Sequence, residues 1–438
     1  MRKVFVTAIS AIIYSVVALA GGRDLKYGQI IIPADIHIAA GVECNLWWSS
    51  IANVDEGDSS IYFETLLTDL SGTSQIGTKV RLMNMDRGIR FTPSESEIGE
   101  TYLLRIVSRR TTDRKVISDV KTRVHICPPK AGEGKRNILM MGDSRTWQSF
   151  GGKDGVSSHA ERCAEKAGNK AITTELKRLL DSSGGAVFTF CGHQISKRDP
   201  EVRNCADNGQ SFKYPSKMFA GAGGLKAYLS ANGMKDGSLD YATIMFGIND
   251  LSDWGKNQFG QYELSKAKIK GIVADAKALV DEIVASYPEA RIVLVLEPTT
   301  CAMQDGWAMW AGKSTPRTSM EEMEKASKLL RKELINVFDE GRFSPNVTVS
   351  SAGLWCDRKY GFPFYIERVS ARQGNAMKEV FIECVHPSDV GYGQIADGIF
   401  STINYLESLG PVGHYVSLIS EIPQSQGLPN LASTRECR

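Results

Sequence analysis

The sequence lacks an excess of charge of either sign. Its 52 Lys and Arg stand against 50 Asp and Glu, a formal net charge of +2. No basic surplus points to nucleic acid, and no acidic tail points to a basic partner. It also lacks any Cys-x-x-Cys pair. The nine cysteines stand at 44, 127, 163, 191, 205, 301, 356, 384 and 437, which excludes zinc-ribbon and thioredoxin-like sites. No internal repeat or low-complexity tract occurs. After residue 20 no run is long and apolar enough to cross a bilayer, so no membrane span is expected in the mature chain. Histidine is scarce, six in 438 residues.

What is present is an ordinary globular composition, 42% hydrophobic and 23% charged. The length predicts two or three domains and allows a well-buried core. Arg2 and Lys3 precede an apolar run that ends Ala18-Leu19-Ala20. A basic start, an apolar stretch and an A-x-A site read as a signal peptide over 1–20, cleaved after Ala20. The expected location is secreted or periplasmic. The alternative is an uncleaved anchor, but the run is short and interrupted by Thr7, Ser10 and Ser15. Export permits disulfides, and the odd cysteine count leaves at least one without a partner in its own chain.

Residues 23–130 carry short runs rich in Ile, Val, Thr and Tyr: 29–32, 61–66, 79–82, 101–107 and 120–126. This spacing predicts a small antiparallel β-sandwich domain. Cys127 to Gly134 reads as a linker. From 136 to 409 apolar strands alternate with helical patterns, which predicts βαβ units around a parallel sheet. The tail, 410–438, carries no clear signal.

In an open parallel sheet, reactive groups gather at the carboxyl ends of the strands. Gly142-Asp143-Ser144-Arg145-Thr146 follows the expected strand 137–141. It presents a hydroxyl at a helix start, where free N–H groups can meet an anion; the bland alternative is a serine N-cap. Ala220-Gly221-Ala222-Gly223-Gly224-Leu225 allows close backbone approach, though it lacks phosphate-loop spacing. Gly247-Ile248-Asn249-Asp250 follows strand 241–246. Its Asn is placed to donate to an oxyanion, or merely to make a turn. Glu383-Cys384-Val385-His386-Pro387-Ser388 precedes the last helical pattern. An imidazole there needs a partner on its second nitrogen, and Glu383 stands three residues before it.

These four blocks, in this order on a βαβ rhythm, resemble the GDSL/SGNH hydrolase superfamily over about 136–408. The resemblance implies an α/β fold, a flavodoxin-like three-layer domain with a parallel sheet. The front region, with Pro33 and Gly41 to Trp47, resembles the β-sandwich that precedes such domains in some secreted Bacteroidetes proteins. By resemblance Ser144 is the nucleophile and His386 the general base. The Ser144 N–H, the Gly224 N–H and the Asn249 side chain form the oxyanion hole, with Gly223 competing for the glycine place. Asp143 and Asp250 brace their loops. The family usually has Asp where this chain has Glu383. Glu383 is therefore either the triad acid or a bystander in a Ser–His dyad oriented by a backbone carbonyl.

The implied activity is ester hydrolysis through an acyl-enzyme, with no cofactor and no metal. The implied substrate is an acylated carbohydrate, most simply an acetylated polysaccharide. A lipase or lysophospholipase, a small-acyl esterase, an acyl transferase and a degenerate glycan-binding module are the alternatives. Trp147, Trp254, Trp307 and Trp310 are candidates for stacking on sugar rings, or else core residues. The front domain is expected to pack on the hydrolase domain, with Trp47-Trp48 its best glycan-binding patch. The oligomeric state is not legible in the sequence.

Overall fold

The structure, a computed structural model, describes residues 25–71, 83–130, 132–147, 171–196, 199–251, 266–308, 320–370, 372, 374 and 376–410. The expected signal peptide, the strand expected at 79–82, Cys163, Cys437, Trp254, Trp310 and the tail beyond 410 lie outside the described residues.

The N-terminal part contains β1 (Asp35–Ala39), β2 (Cys44–Trp47), a one-turn helix α1 (Trp48–Ile51), β3 (Ile61–Thr68), β4 (Met83–Met85), β5 (Gly88–Phe91), β6 (Thr101–Arg110) and β7 (Val116–Cys127). They form two small sheets, ordered β1-β7-β6-β3 and β2-β5-β4. Residues of β6 alternate between half-buried and buried over its first six positions, the period-two pattern of a sheet with one face on a core. Every pair is antiparallel except β1 with β7, which is parallel. A parallel pair cannot be closed by a tight hairpin; here the whole of β2 to β6 serves as the crossover. The run at 29–32 makes only a single bridge, Ile30 to Ala52.

The α/β part follows with β8 (Lys135–Gly142), α2 (Ser144–Trp147), α3 (Ile172–Ser182), β9 (Val187–Cys191), β10 (Gln194–Ile195), β11 (Arg203–Ala206), α4 (Tyr214–Gly221), α5 (Leu225–Ala231), β12 (Tyr241–Met245), α6 (Ile248–Leu251), α7 (Lys266–Ser286), β13 (Arg291–Val295), α8 (Met320–Phe338), β14 (Val347–Ser350), β15 (Phe364–Arg368), β16 (Met377–Phe381) and α9 (Asp389–Ser408). Strands β9, β8, β12, β13 and β14 lie side by side and parallel. That is the doubly wound 2-1-3-4-5 order: the chain passes from β8 to β9 on one side and later returns to place β12 on the other. Strand β12 is buried at all five positions, as a strand covered by helices on both faces must be. Where β9 stops, β11 takes its place beside β8, pairing Cys205 with Met141 and Ala206 with Gly142. Helices α3 and α9 pack together, as do α7 and α8.

The two parts share polar contacts that a loose tether would not make. The Trp47 indole N–H donates to the Trp355 carbonyl at 2.8 Å, and Arg87 reaches Asp357 with two bonds of 3.1 and 2.6 Å. The Ala39 N–H donates to Ser401 Oγ in α9 at 3.1 Å. A one-turn helix leaves its last carbonyls without intrahelical partners. Buried Arg331 and Arg358 meet those of Ser50 and Ser49, and buried Lys328 meets the carbonyl of Val54 just beyond. Among the described cysteines, seven are buried and none is bonded to another.

Candidate active site

Strands β8 and β12 are neighbours at the point where the strand order reverses. Residues following them therefore face each other across a crevice. Ser144 starts α2 directly after β8, and the Gly247–Asn249 turn opens α6 after β12. His386 arrives from the loop between β16 and α9. Its Nε2 lies 3.0 Å from Ser144 Oγ, across 242 residues of sequence. With Nε2 unprotonated, the hydroxyl donates to it and the imidazole is placed to take its proton.

Glu383 faces the other imidazole nitrogen. Its Oε1 lies 3.6 Å from His386 Nδ1, ion-pair range but beyond a direct hydrogen bond. The same oxygen accepts the N–H groups of Cys384 at 3.0 Å and Val385 at 2.9 Å. Burial pushes the Glu383 carboxyl up, but the His386 imidazole and the backbone N–H groups of Val385 and His386 together outweigh it and hold it below its ordinary value. The carboxylate folds back on its own loop, as a side chain one methylene longer than Asp must.

Asp143 is fully buried. Its Oδ1 accepts the Arg145 N–H at 2.9 Å, and its Oδ2 accepts the Asn249 amide at 3.0 Å. It thus links the serine turn to the asparagine turn. Asp250 accepts the Phe212 N–H at 3.2 Å. Burial drives the Asp143 carboxyl well up and that of Asp250 up to about 7.

Gly224, expected as an oxyanion donor, caps the junction between α4 and α5, with a φ of +109° that favours glycine. Its N–H donates to the Phe219 carbonyl at 2.7 Å, and that of Gly223 to Ala220 at 3.1 Å. Both donors are spent on closing α4, so neither is available to an oxyanion. The segment that does flank the nucleophile is Asp207 to Phe212. It leaves β11 beside Gly142 and ends on Asp250, next to Asn249. It contains Gly209, with φ of +76°.

Sequence reasoning also passed over Arg145, Glu297 and a cluster beside the Asp207 loop. There His193 contacts Asp207 at 3.0 Å and the Tyr228 hydroxyl at 2.7 Å, and the Tyr214 hydroxyl donates to Asp207. The available signal was position: Asp207 and Glu297 each stand just beyond a strand's carboxyl end. Among the described residues no three His, Cys, Asp or Glu side chains are grouped to hold a metal ion. Of the tryptophans, Trp307 is buried and Trp147 half-buried. Trp48 stacks on Phe63 at 4.5 Å, so one of its faces is covered.

The sequence between residues 138 and 399 matches the family model described as GDSL-like Lipase/Acylhydrolase. The chain belongs to that family. Its catalytic class is therefore ester hydrolysis. No curated protein matches the chain. Similar solved structures include a carbohydrate esterase family 3 protein from Talaromyces cellulolyticus, 13% identical, covering 62% of this chain and 98% of that one at a TM-score of 0.33. A possible lipase from Chitinophaga pinensis DSM 2588 is also 13% identical, with coverage of 62% and 98% and a TM-score of 0.34. An acetyl xylan esterase from the rumen bacterium Butyrivibrio proteoclasticus is 12% identical, with coverage of 72% and 94% and a TM-score of 0.25.

Proposed function

We propose that this GDSL-family chain is an exported serine esterase that removes acyl groups, most simply acetyl, from a polysaccharide or oligosaccharide. The observation that carries the serine mechanism is the 3.0 Å contact between Ser144 Oγ and His386 Nε2. His386 takes the Ser144 proton as Oγ attacks the ester carbonyl. The Ser144 N–H and the Asn249 amide receive the oxyanion, and the third donor comes from the Asp207–Phe212 loop, at Gly209. One such donor is typically worth about 10²–10³ in rate. The C–O bond to the alcohol then breaks, His386 protonates the leaving oxygen, and water hydrolyses the acyl-serine by the same path. Glu383 stabilises the imidazolium through space.

The carbohydrate reading rests on the sequence resemblance to secreted two-part esterases. It is also supported by the half-exposed aromatic pair Tyr360 and Phe364, which lies on the segment leading through the β15–β16 hairpin to His386. The same hairpin supports a second reading. Phe364, Ile366 and Met377 lie on one face of it and are exposed, a surface suited to an acyl chain. Export rests on the 1–20 segment, and N-terminal sequencing of the secreted protein tests it.

The deciding experiment compares the mature protein with Ser144→Ala on acetylated polysaccharides, p-nitrophenyl acetate and a long-chain p-nitrophenyl ester. Serine-dependent acetate release from one polysaccharide is the expected result. Preference for the long-chain ester would replace the carbohydrate reading with the lipase one. Polysaccharide binding with no turnover of any ester would make the chain a binding module.

A further inference from the structure

Each of the three groups assigned to the chemistry has its chain neighbour held in one buried cluster. Ser144 precedes Arg145, Val385 precedes His386, and Ile248 precedes Asn249. Arg145 is fully buried. Its Nε donates to the Val385 carbonyl at 2.8 Å, its Nη1 donates to the Pro298 carbonyl at 2.6 Å, and Nη1 also lies 3.0 Å from Glu297 Oε1. The other Glu297 oxygen accepts the Ile248 N–H at 2.6 Å. Position 247 is glycine where that carboxylate sits: a Cβ there would come within 2.6 Å of Glu297 Oε2, and φ is +153°. Asp143 completes the ring by accepting from the Arg145 N–H and the Asn249 amide.

We propose that Arg145 and Glu297 are positioning residues for the esterase reaction, which set the Ser144–His386 distance and aim the Asn249 turn. This rests on the reading of Ser144 and His386 given above. Arg145 ties the nucleophile turn to the histidine loop, because its planar fork holds Nε and Nη1 on two carbonyls and sets Nη1 beside a carboxylate. Lysine carries the same charge but not that fork. Glu297 repeats the task for the asparagine turn, and anchors Arg145 from the end of β13. The Arg145 side chain is fully buried and that of Glu297 only 10% exposed, so these contacts act in a low-dielectric interior, where they are stronger than at a surface. Burial pushes both the Glu297 and Asp143 carboxyls up, and the Arg145 guanidinium opposes the shift at each.

A merely structural role and a positioning role separate when turnover is counted per reactive serine. Ser144 is titrated with a fluorophosphonate, and kcat and KM for p-nitrophenyl acetate are measured on Arg145→Lys, Glu297→Gln and the parent. Misplacing reacting groups by about 1 Å costs on the order of 10²-fold in rate. The expected result is a fall in kcat per titrated site of about that size in Arg145→Lys, a smaller fall in Glu297→Gln, and little change in KM. Unchanged kcat per titrated site, with only fewer sites or a lower melting temperature, overturns the proposal. Glu297→Gln keeps the side chain's shape and decides the matter if Arg145→Lys does not fold. Turnover surviving in Ser144→Ala, or labelling elsewhere, overturns the esterase reading and this proposal with it.

Discussion

Glu383 Oε1 lies 3.6 Å from His386 Nδ1 while it accepts two backbone N–H groups of its own loop. The carboxylate thus acts on the imidazole as a nearby charge more than as a bonded orienter. Losing the directly bonded acid of a protease triad costs about 10⁴ in kcat. Glu383→Gln should cost less, about 10- to 100-fold in kcat with KM little changed. Steady-state kinetics on p-nitrophenyl acetate checks this, and a 10⁴-fold loss would mean a tighter bond in the working enzyme.

The same residue gives a signed pH effect on stability. Its folded pKa lies below its unfolded value of about 4.3. Its contribution is therefore fully present above the unfolded pKa and is lost as pH falls through the folded one. Thermal unfolding of the parent between about pH 3 and 7 should weaken more steeply on the acid side than that of Glu383→Gln. Parallel curves would remove Glu383 from the acid response.

Gly224→Ala should leave catalysis intact. Its N–H already serves the Phe219 carbonyl, but its φ of +109° makes any Cβ strained. The expected outcome is a lower melting temperature with kcat per titrated serine within about threefold of the parent. A hundredfold loss at an unchanged melting temperature would return Gly224 to the oxyanion hole.

The glycine segment shows what a sequence does and does not disclose. Strands β8, β12 and β13 were legible because strands buried on both faces read as unbroken apolar runs. Ser144 and Asn249 stood out because each follows such a run, and His386 because histidine is scarce and it stands just before a helix start. Gly224 was assigned by resemblance within a glycine-dense segment, and such density marks a helix junction as readily as a ligand cradle. Strand β11 has only four residues, Arg-Asn-Cys-Ala, with no apolar pattern, so the loop it aims at Ser144 stayed hidden. Arg145 and Glu297 stayed hidden for another reason. Nothing local states that a charged side chain is buried when its partners lie 49 to 240 residues away. The parallel β1–β7 pair is equally non-local.

Arg87 joins the two parts of the chain. It bonds Asp357 twice, pairs with Glu56, and lies 5.0 Å over the Trp47 ring. Arg87 is a quarter exposed and Asp357 nearly buried, so the loss should fall below the full buried-pair range. Arg87→Ala is expected to destabilise by about 2 kcal/mol. If the parts fold as one unit, tryptophan fluorescence and far-ultraviolet circular dichroism will report one coincident transition in both proteins. Two separated transitions in the parent would mean that the interface does not couple them.

Lys328 sits buried beneath the N-terminal part, donating to the Val54 carbonyl at 3.1 Å. Burial, with the nearby Arg331 charge, pushes its pKa down to about 7. Unfolded, a lysine titrates near 10.4. Between those values the unfolded chain binds the proton more tightly than the folded one, so stability rises with pH across that window. Below about pH 7 both states hold the proton and the slope from this group vanishes. Lys328→Met removes the cost of dehydrating the ammonium, while leaving one carbonyl without its donor. The variant should gain stability relative to the parent most at pH 7 and least near pH 10, where the parent lysine is already neutral when folded. Urea unfolding at pH 7, 8.5 and 10 reads the difference directly. A gain that does not shrink with rising pH would mean that Lys328 stays charged in the folded protein and that Glu324, 3.9 Å away, holds it there.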